Sequence, residues 1–224
     1  MVVLTLDLRR ALAALTFAAC FGIGQGQTFT NAGFETGDFT GWTVAVTTNG
    51  QTAVQVVEPF DIDGGGLLPI TNAARFSVGR IDTSTPTGGI TITQNLDLVA
   101  GQEYTFRYMW ASRNLGTSSN ADGGRYSMII NGVTFNTQLT GSIGAGGLPG
   151  ETGSFIYGFN TVNFTATSTG PHSVGAHVVR GFTPPTTLNQ FLDNFSVQVV
   201  PEPATMAVFG IGVAAMFRKR AKKS

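Results

Sequence analysis

The chain has 224 residues and no net formal charge, but the balance is uneven: all three lysines (Lys219, Lys222, Lys223) lie in the last six residues. Residues 27–200 hold six arginines against eleven aspartates and glutamates, and an acidic stretch without a basic patch argues against a nucleic acid partner. Cys20 is the sole cysteine, which excludes disulfides and thiolate chemistry from everything after it.

Residues 1–26 have the layout of a signal peptide. Arg9 and Arg10 precede the apolar run Ala11 to Ile23, and Gly24-Gln25-Gly26 supplies small residues for cleavage before Gln27. This reading calls for the export machinery and a signal peptidase. Three alternatives stand beside it: a first core element of the fold, a lipoprotein signal in which Phe17-Ala18-Ala19-Cys20 approximates a lipobox, and twin-arginine export from the Arg9-Arg10 pair, which lacks the surrounding consensus.

From residue 27 onward the composition is rich in Thr, Asn, Ser and Gly, which favours strands and turns over helices. Ile90 and Ile92 alternate with Thr91 and Thr93. Glu103 to Trp110 places Tyr104, Phe106, Tyr108 and Trp110 on one face. Tyr126 to Ile130, Asn131-Gly132 and Val133 to Phe135 predict a hairpin with a type I′ turn. Val162, Phe164 and Ala166 alternate with polar neighbours, as do Val174, Ala176 and Val178. The last strand carries Phe191, Asp193, Phe195, Val197 and Val199 at one parity, so Asp193 is expected on the apolar side, with a partner for its charge. No repeat or linker interrupts this run. The expected fold class is all-β, a two-sheet jelly-roll sandwich over residues 27–200, flanked by the N-terminal signal helix and a short C-terminal hydrophobic helix.

At the C-terminus Val200-Pro201-Glu202-Pro203 leads into fourteen uncharged residues, Ala204 to Phe217. As a helix these span about 21 Å, short of a hydrocarbon core of about 30 Å. The basic tail of Arg218, Lys219, Arg220, Lys222 and Lys223 resists translocation. Residues 201–224 thus read as a temporary inner-membrane anchor with an accessible stretch outside it. The alternative is a permanent C-terminal anchor.

The motif, the short helix and the basic end resemble the PEP-CTERM sorting signals of Gram-negative bacteria. The resemblance implies recognition by an exosortase, cleavage near Pro-Glu-Pro, an exopolysaccharide-producing host and a destination at the cell surface or in the extracellular matrix. A second resemblance covers parts of the middle. Asn31-Ala32-Gly33-Phe34-Glu35-Thr36-Gly37 with Gly41-Trp42, Gln94 through Phe106, and Leu192 through Val197 are similar to galactose-binding-like jelly rolls, which include many carbohydrate-binding modules. In such domains a structural calcium ion often ties the opening segment to the closing strand, and Glu35 and Asp193 match the positions expected to supply oxygens. The plainer reading has Glu35 capping a turn and Asp193 hydrogen-bonded to backbone amides.

No catalytic set emerges. His172 and His177 are five apart and fall on opposite faces of a strand. Asp61 and Asp63, in Asp61-Ile62-Asp63-Gly64-Gly65-Gly66, read as a solvated loop. The expectation is a non-enzymatic protein. Tyr108, Trp110, Tyr126 and Tyr157 are the rings that could contact a glycan, against the alternative that alternation buries them as core, whereas Trp42 reads as a packing residue. Three roles follow: an exported surface or matrix protein associated with exopolysaccharide, a carbohydrate-binding module with a specific glycan, or a structural or adhesive protein with no small ligand.

Overall fold

The computed structural model describes residues 27–47, 54–66, 68–78, 89–115, 121–144, 155–180 and 188–201. The signal-peptide stretch 1–26 and all of 202–224 lie outside the described residues. Twelve strands are described: β1 (Thr43–Thr47), β2 (Val54–Phe60), β3 (Thr71–Ser77), β4 (Gly89–Leu98), β5 (Glu103–Asn114), β6 (Ala121–Asp122), β7 (Arg125–Ile130), β8 (Val133–Leu139), β9 (Ser142–Ile143), β10 (Phe155–Thr165), β11 (Gly170–Val179) and β12 (Leu188–Val199).

They form two five-stranded sheets, β1-β4-β11-β7-β8 and β10-β5-β12-β3-β2, with β6 and β9 as a separate ribbon. Consecutive strands lie in different five-stranded sheets at β1 to β2, β3 to β4, β4 to β5, β10 to β11 and β11 to β12. This is the two-sheet jelly-roll sandwich that the alternation predicts. The hairpin also forms: Ile130 pairs with Val133, and Asn131 and Gly132 hold φ of 50° and 77°, the two positive values a type I′ turn requires.

The core between the sheets is aromatic. Tyr104, Phe106, Tyr108 and Trp110 line the inner face of β5, buried as expected. Phe195 joins them, its ring centroid 5.1 Å from that of Tyr108 and 4.6 Å from that of Trp42. Trp42 and Phe34, from the opening segment, are stacked at 5.5 Å, so Trp42 is the packing residue its motif predicts. Asn31 shapes that segment. Its side chain donates to Asp38 O and Thr40 O and accepts from Thr36 N.

Two expectations are overturned. Phe191, Asp193 and Phe195 do not share a face, because Asn194 takes a φ of 53° and reverses the alternation. Phe195 enters the main core, whereas Phe191 stacks on Phe60 across the outer face, with centroids 3.6 Å apart. The Asp61–Gly66 loop is not fully solvated either. Ile62 is 2% and Asp63 3% exposed, because Ile62 packs into a second apolar cluster with Phe60, Ala73, Met109, Ala111 and Phe191. Burial on both faces of β5 follows from this cover and not from simple alternation.

Candidate functional site

The outer face of the second sheet gathers the side chains that register places there. β10 pairs with β5 so that Phe155 lies opposite Arg113, Tyr157 opposite Ala111, Phe159 opposite Met109 and Thr161 opposite Arg107. Period-two alternation sends Phe155, Tyr157 and Phe159 to one side of this edge strand. Phe155 and Tyr157 stack at 5.8 Å, and Phe155 also meets Phe60 at 5.8 Å. A row of rings thus runs from the covered cluster out to solvent, where Tyr157 is 41% and Phe159 46% exposed. The Arg107 guanidinium lies 3.9 Å from the Phe159 ring centroid. Tyr157 was among the sequence candidates. Phe159, Phe155 and Arg107 were not, although the alternation Phe155-Ile156-Tyr157-Gly158-Phe159 carries the signal.

Beyond the rings lies a charged group. Glu58 on β2 sits between two arginines, with Arg75 Nε at 3.4 Å and Arg113 Nη2 at 4.0 Å from its two oxygens. Arg113 also lies over the Phe60 and Phe191 rings at 5.0 and 5.3 Å. Burial pulls its guanidinium below the ordinary range, with Arg75 adding to the effect and Glu58 opposing it. The nearby carboxylates turn inward to their own loop. Asp61 Oδ1 accepts from Gly64 N, and Asp63 accepts from the amides of Gly65 and Leu68. Burial, then the hydrogen bond to Asp63 and its charge, push the Asp61 carboxyl up.

The other three glycan candidates are core residues, which corrects that reading. Tyr108 and Tyr126 are fully buried and Trp110 is 6% exposed. The Tyr108 hydroxyl donates to Ser127 O, and the Tyr126 hydroxyl to Ala111 O, each bond linking the two sheets. Burial pushes both phenols up. Trp110 stacks on Tyr126 at 4.9 Å and fills the space above Gly158, where a Cβ would come within 2.7 Å of its ring. A ring enclosed on both faces has none to offer a sugar.

Glu35 and Asp193 do converge. A Cβ on Gly33 would stand 3.4 Å from Asp193 Oδ1 and 3.4 Å from Glu35 Oε1. Glu35 is exposed and Asp193 buried. The Asp193 carboxylate accepts from Asn194 N at 2.6 Å and from Thr71 Oγ1 at 3.1 Å. Phe195 N donates to Ala32 O, which ties the opening segment to β12 beside them. Burial pushes Asp193 from the ordinary 3.8 up to about 7, with the Glu35 charge adding to the rise and the two hydrogen bonds opposing it. One oxygen of Glu35 and one of Asp193 meet beside Gly33, and oxygen is the ligand type a hard cation such as calcium takes. Among the described residues no group of three or more His, Cys, Asp or Glu is assembled.

Of the sorting residues, Val200 and Pro201 follow β12, Pro201 exposed. Glu202, Pro203, the apolar run and Arg218, Lys219, Arg220, Lys222 and Lys223 lie outside the described residues. No helix among the described residues is long and apolar enough to cross a membrane.

In sequence, residues 199–221 match the PEP-CTERM protein-sorting motif. No curated protein matches the chain. In chain path it is similar to a cyclase from Fischerella sp. TAU, at 18% identity and TM-score 0.46, covering 79% of this chain and 97% of that one. It is also similar to the CBM22-1 xylan-binding domain of Paenibacillus barcinonensis Xyn10C, at 12% identity and TM-score 0.39, covering 76% and 93%. A third likeness is to the enzymatically active domain of the bacteriophage CBA120 tailspike protein 4, at 12% identity and TM-score 0.45; here the chain spans only 21% of the other. The chain is thus a two-sheet jelly-roll sandwich that carries a PEP-CTERM sorting signal, the mark of an exported Gram-negative protein processed by an exosortase and destined for the cell surface or beyond.

Proposed function

We propose that this is a non-enzymatic surface protein whose sandwich, residues 27–200, associates with exopolysaccharide through the outer face of the second sheet. The observation that carries this reading is the pair Tyr157 and Phe159, neighbours on the same side of an edge strand and both open to solvent. Sugar rings lay their C–H faces on such aromatic platforms, and adjacent exposed rings are unusual on a surface with no partner. The non-enzymatic part is supported by Asp61 and Asp63, whose carboxylates are engaged by the amides of their own loop.

In this account residues 1–26 direct export and are removed by signal peptidase. Residues 201–224 hold the chain in the inner membrane until the exosortase acts. A structural calcium ion held by Glu35 and Asp193 would fasten the opening segment to β12. Its role would be stability, since Phe195 N bonds Ala32 O at the junction of those two segments.

The test is fractionation of the producing cells. The exported protein should co-purify with extracellular polysaccharide, and the double variant Tyr157→Ala, Phe159→Ala should appear free in the medium. Equal retention of both forms would contradict the proposal.

A further inference from the structure

Resting on that reading, we infer that the polysaccharide is anionic: the outer face of the second sheet is built to take a uronate-bearing glycan, with rings for the sugars and guanidiniums for the carboxylates.

The argument starts from how the few cations are distributed. Residues 27–200 contain no lysine and only six arginines, in an acidic stretch. Three of those arginines, Arg75, Arg107 and Arg113, come to this one face. Register places Arg107 and Arg113 on the β5 positions opposite Thr161 and Phe155, and Arg75 on β3 opposite Phe191. An acidic domain concentrating its arginines beside its exposed rings has the complementarity that selects an anionic partner over a neutral one.

The local balance supports this. Arg75 and Arg113 share the single carboxylate of Glu58, so two guanidiniums face one countercharge. Their side chains remain 26% and 18% exposed. Arg107 has an aromatic face beneath it and no ion pair among the described residues. Of the other acids near this face, Asp61 and Asp63 are bonded to loop amides and Asp193 is buried against Thr71 and Asn194. Glu35, beside Asp193, and Glu103, on the same side of β5 as Arg107, are the exposed ones, and neither is ion-paired to an arginine of this face among the described residues. A guanidinium presents paired N–H donors that match a carboxylate. Phe155, Tyr157 and Phe159 follow one another along β10, and on β5 Arg113 stands opposite the first ring and Arg107 opposite Thr161, just past the last; two guanidiniums at the ends of a row of rings suit a sugar chain that carries acid groups.

The experiment compares retention of the full chain by polygalacturonate and by its fully methyl-esterified form, in which the rings are kept and the charge is removed. Alginate serves as a second uronate and xylan as a neutral polymer. The expected result is binding to a uronate polymer at least about tenfold tighter than to the ester or to xylan. Arg107→Gln, at an exposed position, and Arg113→Gln should each remove most of that preference in protein that remains folded. Equal affinity for charged and uncharged polymers, or a preference untouched by both substitutions, would overturn the anionic inference while leaving the polysaccharide reading intact. A folded chain that binds none of the polymers would overturn both, as would self-association through Tyr157 and Phe159.

Discussion

The carboxylates of Asp193 and Glu35 flank Gly33, with one oxygen of each 3.4 Å from where a Cβ on that glycine would stand. Two acids that lie 158 residues apart in sequence thus meet where the opening segment crosses β12. Calcium should therefore raise the melting temperature, by about 5 °C at saturating concentration. Asp193→Ala should abolish the rise. A melting temperature that is the same with calcium and with chelator would contradict the assignment.

The same carboxylate sets a pH dependence when calcium is removed. Its pKa is raised in the fold, from 3.8 to about 7, so between those values the folded state holds the proton more tightly than the unfolded chain. The contribution is fully present below about pH 4 and is lost as pH rises through about 7. The loss is on the order of 2–4 kcal/mol. In chelator, denaturant midpoints should fall from pH 5 to pH 8 for the wild type, with a much smaller fall for Asp193→Asn. Parallel profiles would show that Asp193 does not carry the effect.

Trp110 and Gly158 form one packing unit. Trp110→Ala should destabilise by about 3–5 kcal/mol, the usual cost of emptying a large aromatic site. Gly158→Ala should cost about 1–3 kcal/mol by crowding the ring. Neither should alter polysaccharide affinity in protein that remains folded. Loss of affinity in a fully folded Trp110→Ala variant would return this ring to the list of glycan contacts.

Much of the scaffold was legible because it is local. The alternation from Tyr104 to Trp110, the Asn131-Gly132 turn and the opposite faces of His172 and His177 each depend on neighbours in sequence, and the pairings follow them. Other features depended on contacts that no local pattern encodes. The reversal at Asn194 is one residue in a left-handed conformation, and it separates Phe191 from Phe195. Burial of Met109 and Ala111 comes from Ile62, in a loop about 50 residues away. Without that cover in view, alternation alone could not separate the rings enclosed between the sheets from those on the outer face. Tyr108 and Trp110 therefore share with Phe159 the same local pattern, and only the packing tells them apart.

The sorting signal makes its own prediction. Mass spectrometry of the surface form should find the chain ending near Pro201-Glu202-Pro203, with the apolar run and the basic tail gone. Substituting the motif should leave the chain in the inner membrane with Ser224 intact. A surface form that retains Ser224 would show that the tail is a permanent anchor.

The central claim is that Tyr157 and Phe159 hold polysaccharide, and affinity electrophoresis of the full chain through gels containing uronate polymers tests it most directly. The account predicts retarded migration of the wild type, with retardation lost in Tyr157→Ala, Phe159→Ala protein of unchanged melting temperature. Retardation that survives the removal of both rings would contradict it.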